Sequence, residues 1–375
     1  MAVTSPGRDQ ASRRKLVSQI VDTDIHHGFE EAQEILDHVP PEYRERTSWY
    51  GLPVDFNPVQ NNGGMRGGRS DLAFDYPEIP VSTRESSLLR CRETLLDRYD
   101  IDLGILTGGQ MYGQTGAMDS QYASIMARAF NDWTLKRWLD EDDRLRYAMA
   151  VIPLDPQGAV AEIERLAGDP RVVAVHLNTG AMRPFGNPMY HPIWEAAAKH
   201  DLTLQLHLGG EGTGVHPPMT SAGFPTHYVE RRMAEPGLYL PHVASFIFEG
   251  VFGKYPNLKL VLAESGFTCL PHYLWRMDAC WKGLRHQVPW IKELPSEIFY
   301  RHVWVGTQPM YEYNEDHANL MKMVEWLRGD ERFVYASDYP HWDWDDPNDA
   351  ARTFPSEMRE RVFNRNARKA YPRLQ

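Results

Sequence analysis

Hydrophobic positions along the chain form short apolar runs that alternate with longer segments of helical periodicity. The intervening segments, such as GAVAEIERLAG and HPIWEAAAKHD, place apolar residues three and four positions apart, which is the spacing of an amphipathic helix. The apolar runs have the length of strands, and each is followed by a predicted helix. There are eight of them, in the order QIVDTDIHH, DLGILTGG, RYAMAVIP, VVAVHLN, LTLQLHLGG, LKLVLAESG, HVWVGTQ and RFVYASDYP.

Strands that alternate with helices predict a parallel sheet, because parallel neighbours need a crossover connection that a helix supplies. Eight such units in 375 residues fit a closed (β/α)8 barrel of the α/β class, with insertions. A doubly wound open sheet is the alternative, but no glycine-rich G-x-G-x-x-G turn follows an early strand. We therefore predict a (β/α)8 TIM barrel.

Two segments fall outside this alternation. Residues 1–16 precede the first strand, and we expect a disordered leader ahead of a single domain over residues 17–375. Residues 49–83, after the first strand, form a long insertion rich in Gly, Pro, Asn and aromatic residues. A loop of this length is often a lid or a binding loop. It could equally be a surface excursion without chemistry or a dimer contact.

Composition narrows the class of protein. The chain is 42% hydrophobic and 24% charged, which is ordinary for a soluble globular protein. The net charge of −11 argues against a nucleic-acid binder. No apolar run reaches the roughly 18 residues that a membrane span needs. The three cysteines include no C-x-x-C pair, so neither a disulfide framework nor a zinc ribbon is indicated. We predict a reducing, cytoplasmic location.

Side chains that bind metals stand at the carboxyl ends of predicted strands. Asp24 and His26 end the first strand, His207 ends the fifth, and Asp338 follows the eighth. In a barrel these strand ends converge on one face, where the active sites of such folds lie. Mixed imidazole and carboxylate ligands suit one divalent ion, Zn²⁺ first and Mn²⁺ second, with a position open for water. As alternatives, His207 could be a packed core histidine and Asp338 a helix cap.

Four further residues lie near these ends as neighbours of the predicted ligands. Side chains alternate along a strand, so Asp22 would share a face with Asp24, but it lies deeper and is expected to support the ligands. His27 would point to the other face. Glu264 and His176 end the sixth and fourth strands, and we predict that they join Asp338 in handling protons, although packing could also explain His176.

Substrate contacts are predicted from residues that flank the barrel mouth. Arg66 and Arg69 lie in the long insertion and could contact an anionic or aromatic substrate, although solvated arginines are the commoner case. Arg183 follows the fourth strand and is a further candidate. His341 and Trp342 follow the eighth strand, where they could hold a ligand or pack against the last helix.

The motifs VDTDIH, LQLHLGG, LVLAESG, TQPM and YASDYPHWDWD, in this order, resemble the amidohydrolase superfamily. The branch they resemble is amidohydrolase-2, which includes aminocarboxymuconate semialdehyde and resorcylate-type decarboxylases. The resemblance runs from about residue 19 to the NARKAYPRL end and covers residues 49–83 least well. It implies a barrel, a homodimer, and the same four metal ligands: Asp24, His26, His207 and Asp338.

Two positions depart from the family pattern. The first strand of the family usually supplies His-x-His or Glu-x-His, whereas this chain has Asp24 at the first of those places. The sixth strand of the decarboxylases usually ends in a histidine within H-x-G, whereas this chain has Glu264 within AESG. A carboxylate cannot act as a neutral imidazole, but it can still serve as a general acid or base.

We therefore expect a metal-dependent hydrolase that uses metal-activated water on a small organic substrate, carboxylated and cyclic or aromatic. Asp338 would take the proton of the water and pass it to the leaving group. The first alternative is a metal-dependent non-oxidative decarboxylase of an aromatic or enoic acid, in which the proton goes to carbon. The second is a barrel that binds a ligand without turnover. A binuclear centre is not expected, because His176 and not a bridging lysine ends the fourth strand.

Overall fold

The computed structural model describes residues 16–29, 32–50, 88–107, 115–310, 316–341 and 343–374. At its centre lies one sheet of eight parallel strands, each of which pairs with the next in chain order. The strands are β1 (Val21–His26), β2 (Leu103–Thr107), β3 (Leu145–Ala150), β4 (Val172–Asn178), β5 (Thr203–His207), β6 (Leu260–Ala263), β7 (Val303–Gly306) and β8 (Phe333–Val334).

The sheet closes on itself between its last and first strands. The backbone N–H of Thr23 donates to the carbonyl of Tyr335 at 3.0 Å, and that of His26 donates to the carbonyl of Tyr339 at 2.7 Å. Ile25 and Tyr339 form a parallel bridge beyond the end of β8. These bonds confirm the predicted (β/α)8 barrel. The predicted leader and the insertion at residues 49–83 lie almost wholly outside the described residues.

Helices connect successive strands. They are α1 (Ala32–Leu36), α2 (Pro41–Tyr50), α3 (Leu88–Cys91), α4 (Ser120–Thr134), α5 (Pro156–Leu166), α6 (His191–Lys199), α7 (Tyr228–Phe248), α8 (Val251–Lys254), α9 (Leu270–Leu284), α10 (Pro295–His302), α11 (His317–Leu327), α12 (Gly329–Arg332), α13 (Pro347–Thr353), α14 (Ser356–Glu360) and α15 (Asn366–Ala370). Within the described ranges, no helix combines the length and apolar character that crossing a membrane requires.

Helix α7 begins well before the apolar stretch LPHVASFIFEGVFGKYP at residues 240–256, which predicts a helix by itself. The helix begins at Tyr228 and contains Pro236 and Pro241. Proline removes a backbone donor and normally ends a helix, which is why the sequence pattern missed its first half. Gly250 adopts a left-handed φ of 76° and separates α7 from α8, since glycine reaches this conformation at little cost.

Two clusters of buried apolar side chains flank the strands. The larger cluster packs the outer faces of the strands, including Ile25 and Leu106, against the helices. The smaller cluster lies inside the barrel near the amino ends of the strands and includes Val21, Trp304 and Tyr371 of the C-terminal segment. Because these residues fill one end of the barrel, polar chemistry is confined to the carboxyl ends of the strands.

Candidate metal centre

The structure brings the four predicted ligands together at the carboxyl end of the barrel. The ligand atoms of Asp24, His26, His207 and Asp338 all lie within 4.8 Å of one another, and all four side chains are buried. His26 Nε2 is 2.9 Å from Asp338 Oδ1, and His207 Nε2 is 3.3 Å from Asp24 Oδ2. The four groups therefore converge on one point from β1, β5 and the segment after β8.

The path of β1 separates Asp22 from this group. The pairing of β1 with β2 shifts register between Asp22 and Ile25, so simple alternation does not hold across the strand. Asp22 Oδ1 instead accepts hydrogen bonds from the backbone N–H of Ser337 at 2.9 Å and of Asp24 at 3.2 Å. Burial raises the pKa of Asp22 to about 7. Asp22 thus ties β1 to the segment that carries Asp338.

The donor set fits a divalent metal ion. His207 Nδ1 is 2.7 Å from the carbonyl of Leu208, so Nδ1 carries the proton and Nε2 presents its lone pair to the group. Thr107 Oγ1 donates to Asp24 Oδ1 at 2.7 Å and fixes that carboxylate. Asp338 Oδ2 is buried and has no hydrogen-bond partner among the described residues. Two imidazole nitrogens and two carboxylate oxygens suit Zn²⁺ or Mn²⁺.

The pKa shifts of Asp338 and His207 also favour a bound cation at this group. Burial by itself would raise the pKa of Asp338, but His341 and His26 hold it well below its usual range. Burial by itself would lower the pKa of His207, but Asp24 and Glu264 raise it to about 10. The buried carboxylates therefore draw positive charge onto His207, and a divalent ion at their centre would supply that charge directly.

The backbone turns sharply where two of the polar side chains enter the site. Asp338 has a φ of 60° and Glu264 a φ of 54°. This left-handed conformation is uncommon for residues other than glycine and costs about 1 kcal/mol. The backbone N–H of Asp338 donates to the carbonyl of Asp24 at 3.1 Å, which helps to hold the turn. Each turn follows the end of a strand and redirects the side chain into the barrel mouth.

His341 and Glu264 line the side of the group that faces the barrel mouth. His341 Nδ1 lies 2.6 Å from Asp338 Oδ1, and the His341 side chain is 19% exposed. Burial alone would lower the pKa of His341, but Asp338 raises it to about 9. Glu264 Oε2 lies 3.5 Å from His207 Nε2. His341 was predicted from the sequence as a substrate contact, and in the structure it lies against Asp338.

A partly buried arginine that the sequence did not predict lies at this edge of the site. Arg232 lies on the first turns of α7, and its Nη1 donates to Glu264 Oε1 at 2.9 Å. The same nitrogen is 3.1 Å from Glu235 Oε2, and Nη2 donates to Asp343. The adjacent arginines of the segment YVERRMAE are the available signal, but Pro236 follows them and locally predicts the end of a helix.

Two of the other histidines lie beside the group and not in it. His176 has its ring centroid 5.8 Å from that of His207, and its Nε2 is 2.9 Å from Asn178 Oδ1. Burial lowers the pKa of His176 to about 3, so it is neutral. His27 points away, as alternation predicted: its Nε2 is 2.8 Å from Thr134 Oγ1, and its ring packs on Trp133.

The remaining predicted substrate contacts, Arg183, Arg66, Arg69 and Trp342, stay predictions. Arg183 is exposed, and its backbone N–H and carbonyl lie 3.3 Å from the hydroxyl of Tyr190. Arg66, Arg69 and Trp342 lie outside the described residues.

The barrel and its polar carboxyl end are those of a (β/α)8 enzyme. A protein-family model described as amidohydrolase matches residues 91–373. The chain therefore belongs to the amidohydrolase family of enzymes, which confirms the resemblance found in its motifs. The matched range begins after β1, so Asp24 and His26 lie outside it.

Relatives and solved structures extend this comparison. The γ-resorcylate decarboxylase of Polaromonas sp. is 24% identical over 279 residues, which cover 71% of this chain and 80% of that protein. An amidohydrolase structure from Mycobacterium avium subsp. paratuberculosis matches with a TM-score of 0.70 and 20% identity, covering 94% of this chain and 98% of the other. The 5-carboxyvanillate decarboxylase of Novosphingobium aromaticivorans, solved with bound manganese and 3-methoxy-4-hydroxy-5-nitrobenzoic acid, matches with a TM-score of 0.68 and 22% identity, covering 94% and 97%. These structural matches show a shared fold.

Proposed function

We propose that the protein is a metal-dependent non-oxidative decarboxylase of a small aromatic or enoic acid. The observation that carries the proposal is the buried group Asp24, His26, His207 and Asp338 at the carboxyl end of the barrel. Relatives whose names identify their reaction are decarboxylases. They favour this reaction over the hydrolysis that the sequence analysis put first.

In this proposal the four residues hold one divalent ion. When bound, the ion would supply positive charge that attracts and orients an anionic substrate. Manganese is bound in a matching decarboxylase structure, and the two carboxylates of this donor set suit Mn²⁺ as well as Zn²⁺. Zn²⁺ was the first ion predicted from the sequence, so both ions should be compared.

Asp338 and His341 would handle the proton. Decarboxylation breaks the bond from the substrate carbon to its carboxylate, leaves the electron pair on that carbon, and requires a proton in its place. His341 Nδ1 is 2.6 Å from Asp338 Oδ1, so a proton held by His341 would pass to the Asp338 carboxylate and from there to the substrate carbon. His341 is the more exposed of the pair and would restore the proton from solvent.

Glu264 stands where the sixth strand of the decarboxylases usually ends in a histidine. Its Oε1 accepts from Arg232, while its Oε2 faces His207. An ionised carboxylate can only accept hydrogen bonds, whereas an imidazole can accept or donate. Glu264 therefore favours a substrate that presents a hydrogen-bond donor, such as a hydroxyl group. We therefore propose a hydroxylated aromatic acid as the first substrate class to test.

Isotope labelling would separate decarboxylation from hydrolysis. The Mn²⁺-loaded and Zn²⁺-loaded proteins are incubated with a panel of hydroxybenzoic and enoic acids in D2O and, separately, in H2¹⁸O. Decarboxylation predicts release of CO2 and a product with one deuterium on the carbon that had carried the carboxylate. Incorporation of ¹⁸O into an organic product without CO2 release would instead establish a hydrolase. Asp338→Asn serves as the inactive control.

A further inference from the structure

Three carboxylates face one another on the open side of the candidate metal centre. Glu264 follows β6, Asp338 follows β8, and Asp343 lies in the next loop, and their ligand oxygens are within 4.8 Å of one another. The side chains of Glu264 and Asp343 are only 6% and 5% exposed, and that of Asp338 is 0% exposed. Like charges repel strongly at such distances where water is excluded. A cation among them would relieve that repulsion.

Arg232 provides a permanent positive charge at this position. Its Nη1 donates to Glu264 Oε1 at 2.9 Å, and its Nη2 donates to Asp343. The arginine side chain is itself only 9% exposed. A guanidinium group stays protonated in proteins and cannot bind a metal ion as a ligand. Two of the three carboxylates are thus already engaged by a cation that the chain carries.

We infer that Arg232 takes the place of a second metal ion and keeps the centre mononuclear. This inference rests on the proposed metal centre. Three carboxylate oxygens form a donor set that suits Mn²⁺ or Mg²⁺. Asp338 belongs both to the four-residue group and to this carboxylate set, and a shared ligand of this kind is what a pair of ions roughly 3.5–4 Å apart requires.

The guanidinium and a second ion would compete for the same two side chains. Arg232 also fixes the direction of Glu264, because it holds Oε1 while Oε2 faces His207 at 3.5 Å. Arg232 is therefore a positioning residue, which acts on the site through Glu264 and Asp343. Its removal should free the three carboxylates to bind a cation from solution.

Metal stoichiometry tests this inference without reference to any substrate. Wild-type protein, Arg232→Met and Arg232→Lys are freed of metal, equilibrated with excess Mn²⁺, desalted and analysed for manganese per chain and by electron paramagnetic resonance. We expect one Mn²⁺ in the wild type and in Arg232→Lys, which keeps the charge. We expect two in Arg232→Met, with the spectrum of an exchange-coupled pair.

Two double variants make the result specific. Arg232→Met with Asp343→Asn also removes a proposed ligand of the second ion and should return to one Mn²⁺. Arg232→Met with Glu235→Gln removes one charge of each sign and so keeps the net charge of the wild type. This variant tests the inference even if the single variant does not fold. A single Mn²⁺ in this folded variant, or two in the wild type, would overturn the inference. Binding of none by the wild type would instead remove the proposed metal centre.

Discussion

His26 Nε2 and Asp338 Oδ1 lie 2.9 Å apart and join the first strand of the barrel to the segment after the last. The backbone makes the same connection, because the N–H of His26 donates to the carbonyl of Tyr339 at 2.7 Å. The candidate metal centre therefore lies on the seam where the barrel closes. The distance between these two ligands therefore depends on the pairing of the first strand with the segment after the last strand.

Replacement of Asp338 by asparagine tests its role in proton transfer. The amide keeps the size of the side chain but cannot deliver a proton, so kcat should fall by roughly 10²–10⁴, the usual contribution of general acid–base catalysis. Circular dichroism and metal analysis check that the variant is folded and loaded. Retention of full activity by a loaded Asp338→Asn protein would place proton transfer on another residue.

Removal of the metal should destabilise the protein, because an ion that binds only the folded state stabilises it. At a free concentration of 100 times Kd this contribution is about 2.7 kcal/mol. We expect EDTA to lower the unfolding temperature of the wild type, as measured by calorimetry, with recovery on addition of Mn²⁺.

The variant His207→Ala should contain little metal and show a much smaller response to EDTA. His176→Ala is the matched control, because His176 is also a buried histidine, with its ring centroid 5.8 Å from that of His207, but lies outside the four-residue group. Equal metal content in His207→Ala and His176→Ala would remove His207 from the ligand set.

His242 should make stability fall at acid pH. Its Nε2 is 2.9 Å from the carbonyl of Thr179, and its Nδ1 accepts from the backbone N–H of Phe185. Burial, with the nearby His216, lowers the pKa of His242 from 6.5 to about 4. The unfolded chain therefore takes up a proton below pH 6.5 that the folded chain refuses until about pH 4.

Stability conferred by neutral His242 is thus complete above pH 6.5 and is lost as the pH falls towards 4. The loss is about 3 kcal/mol across this window. Urea unfolding in EDTA at several pH values should show a smaller acid-induced loss in His242→Gln, since glutamine does not titrate. Identical pH slopes for the two proteins would contradict the assignment.

Tyr239 connects α7 to the strand that presents Glu264. Its buried hydroxyl donates to the carbonyl of Ala263 at 2.6 Å. Tyr239→Phe should lower the free energy of unfolding by about 1–2 kcal/mol, because it leaves that carbonyl unpaired. Tyr273→Phe is the control: its hydroxyl donates to the carbonyl of Leu240 at 2.9 Å from a half-buried position, where water can replace the bond. Denaturant unfolding should rank the two losses in that order.

The sequence by itself determined the order of strands and helices and which polar residues end the strands. Apolar alternation is a local property, so a run such as LTLQLHLGG places His207 at a strand end without knowledge of its neighbours. The rule that strand ends of a barrel converge then groups His207 with Asp24, His26 and Asp338. The resemblance to the family also followed from these motifs, because each motif is a short contiguous segment that can be recognised without the fold.

Only the tertiary structure decided how distant parts of the chain complete the site. The sequence predicts that Asp22 supports the ligands, but only the fold shows that it does so by accepting a hydrogen bond from the backbone N–H of Ser337, far along the chain. Arg232 meets Glu264 and Asp343 only because α7 continues through two prolines that locally predict an end to the helix. These contacts are made by residues far apart in the chain, and they form only when the barrel closes and its helices pack.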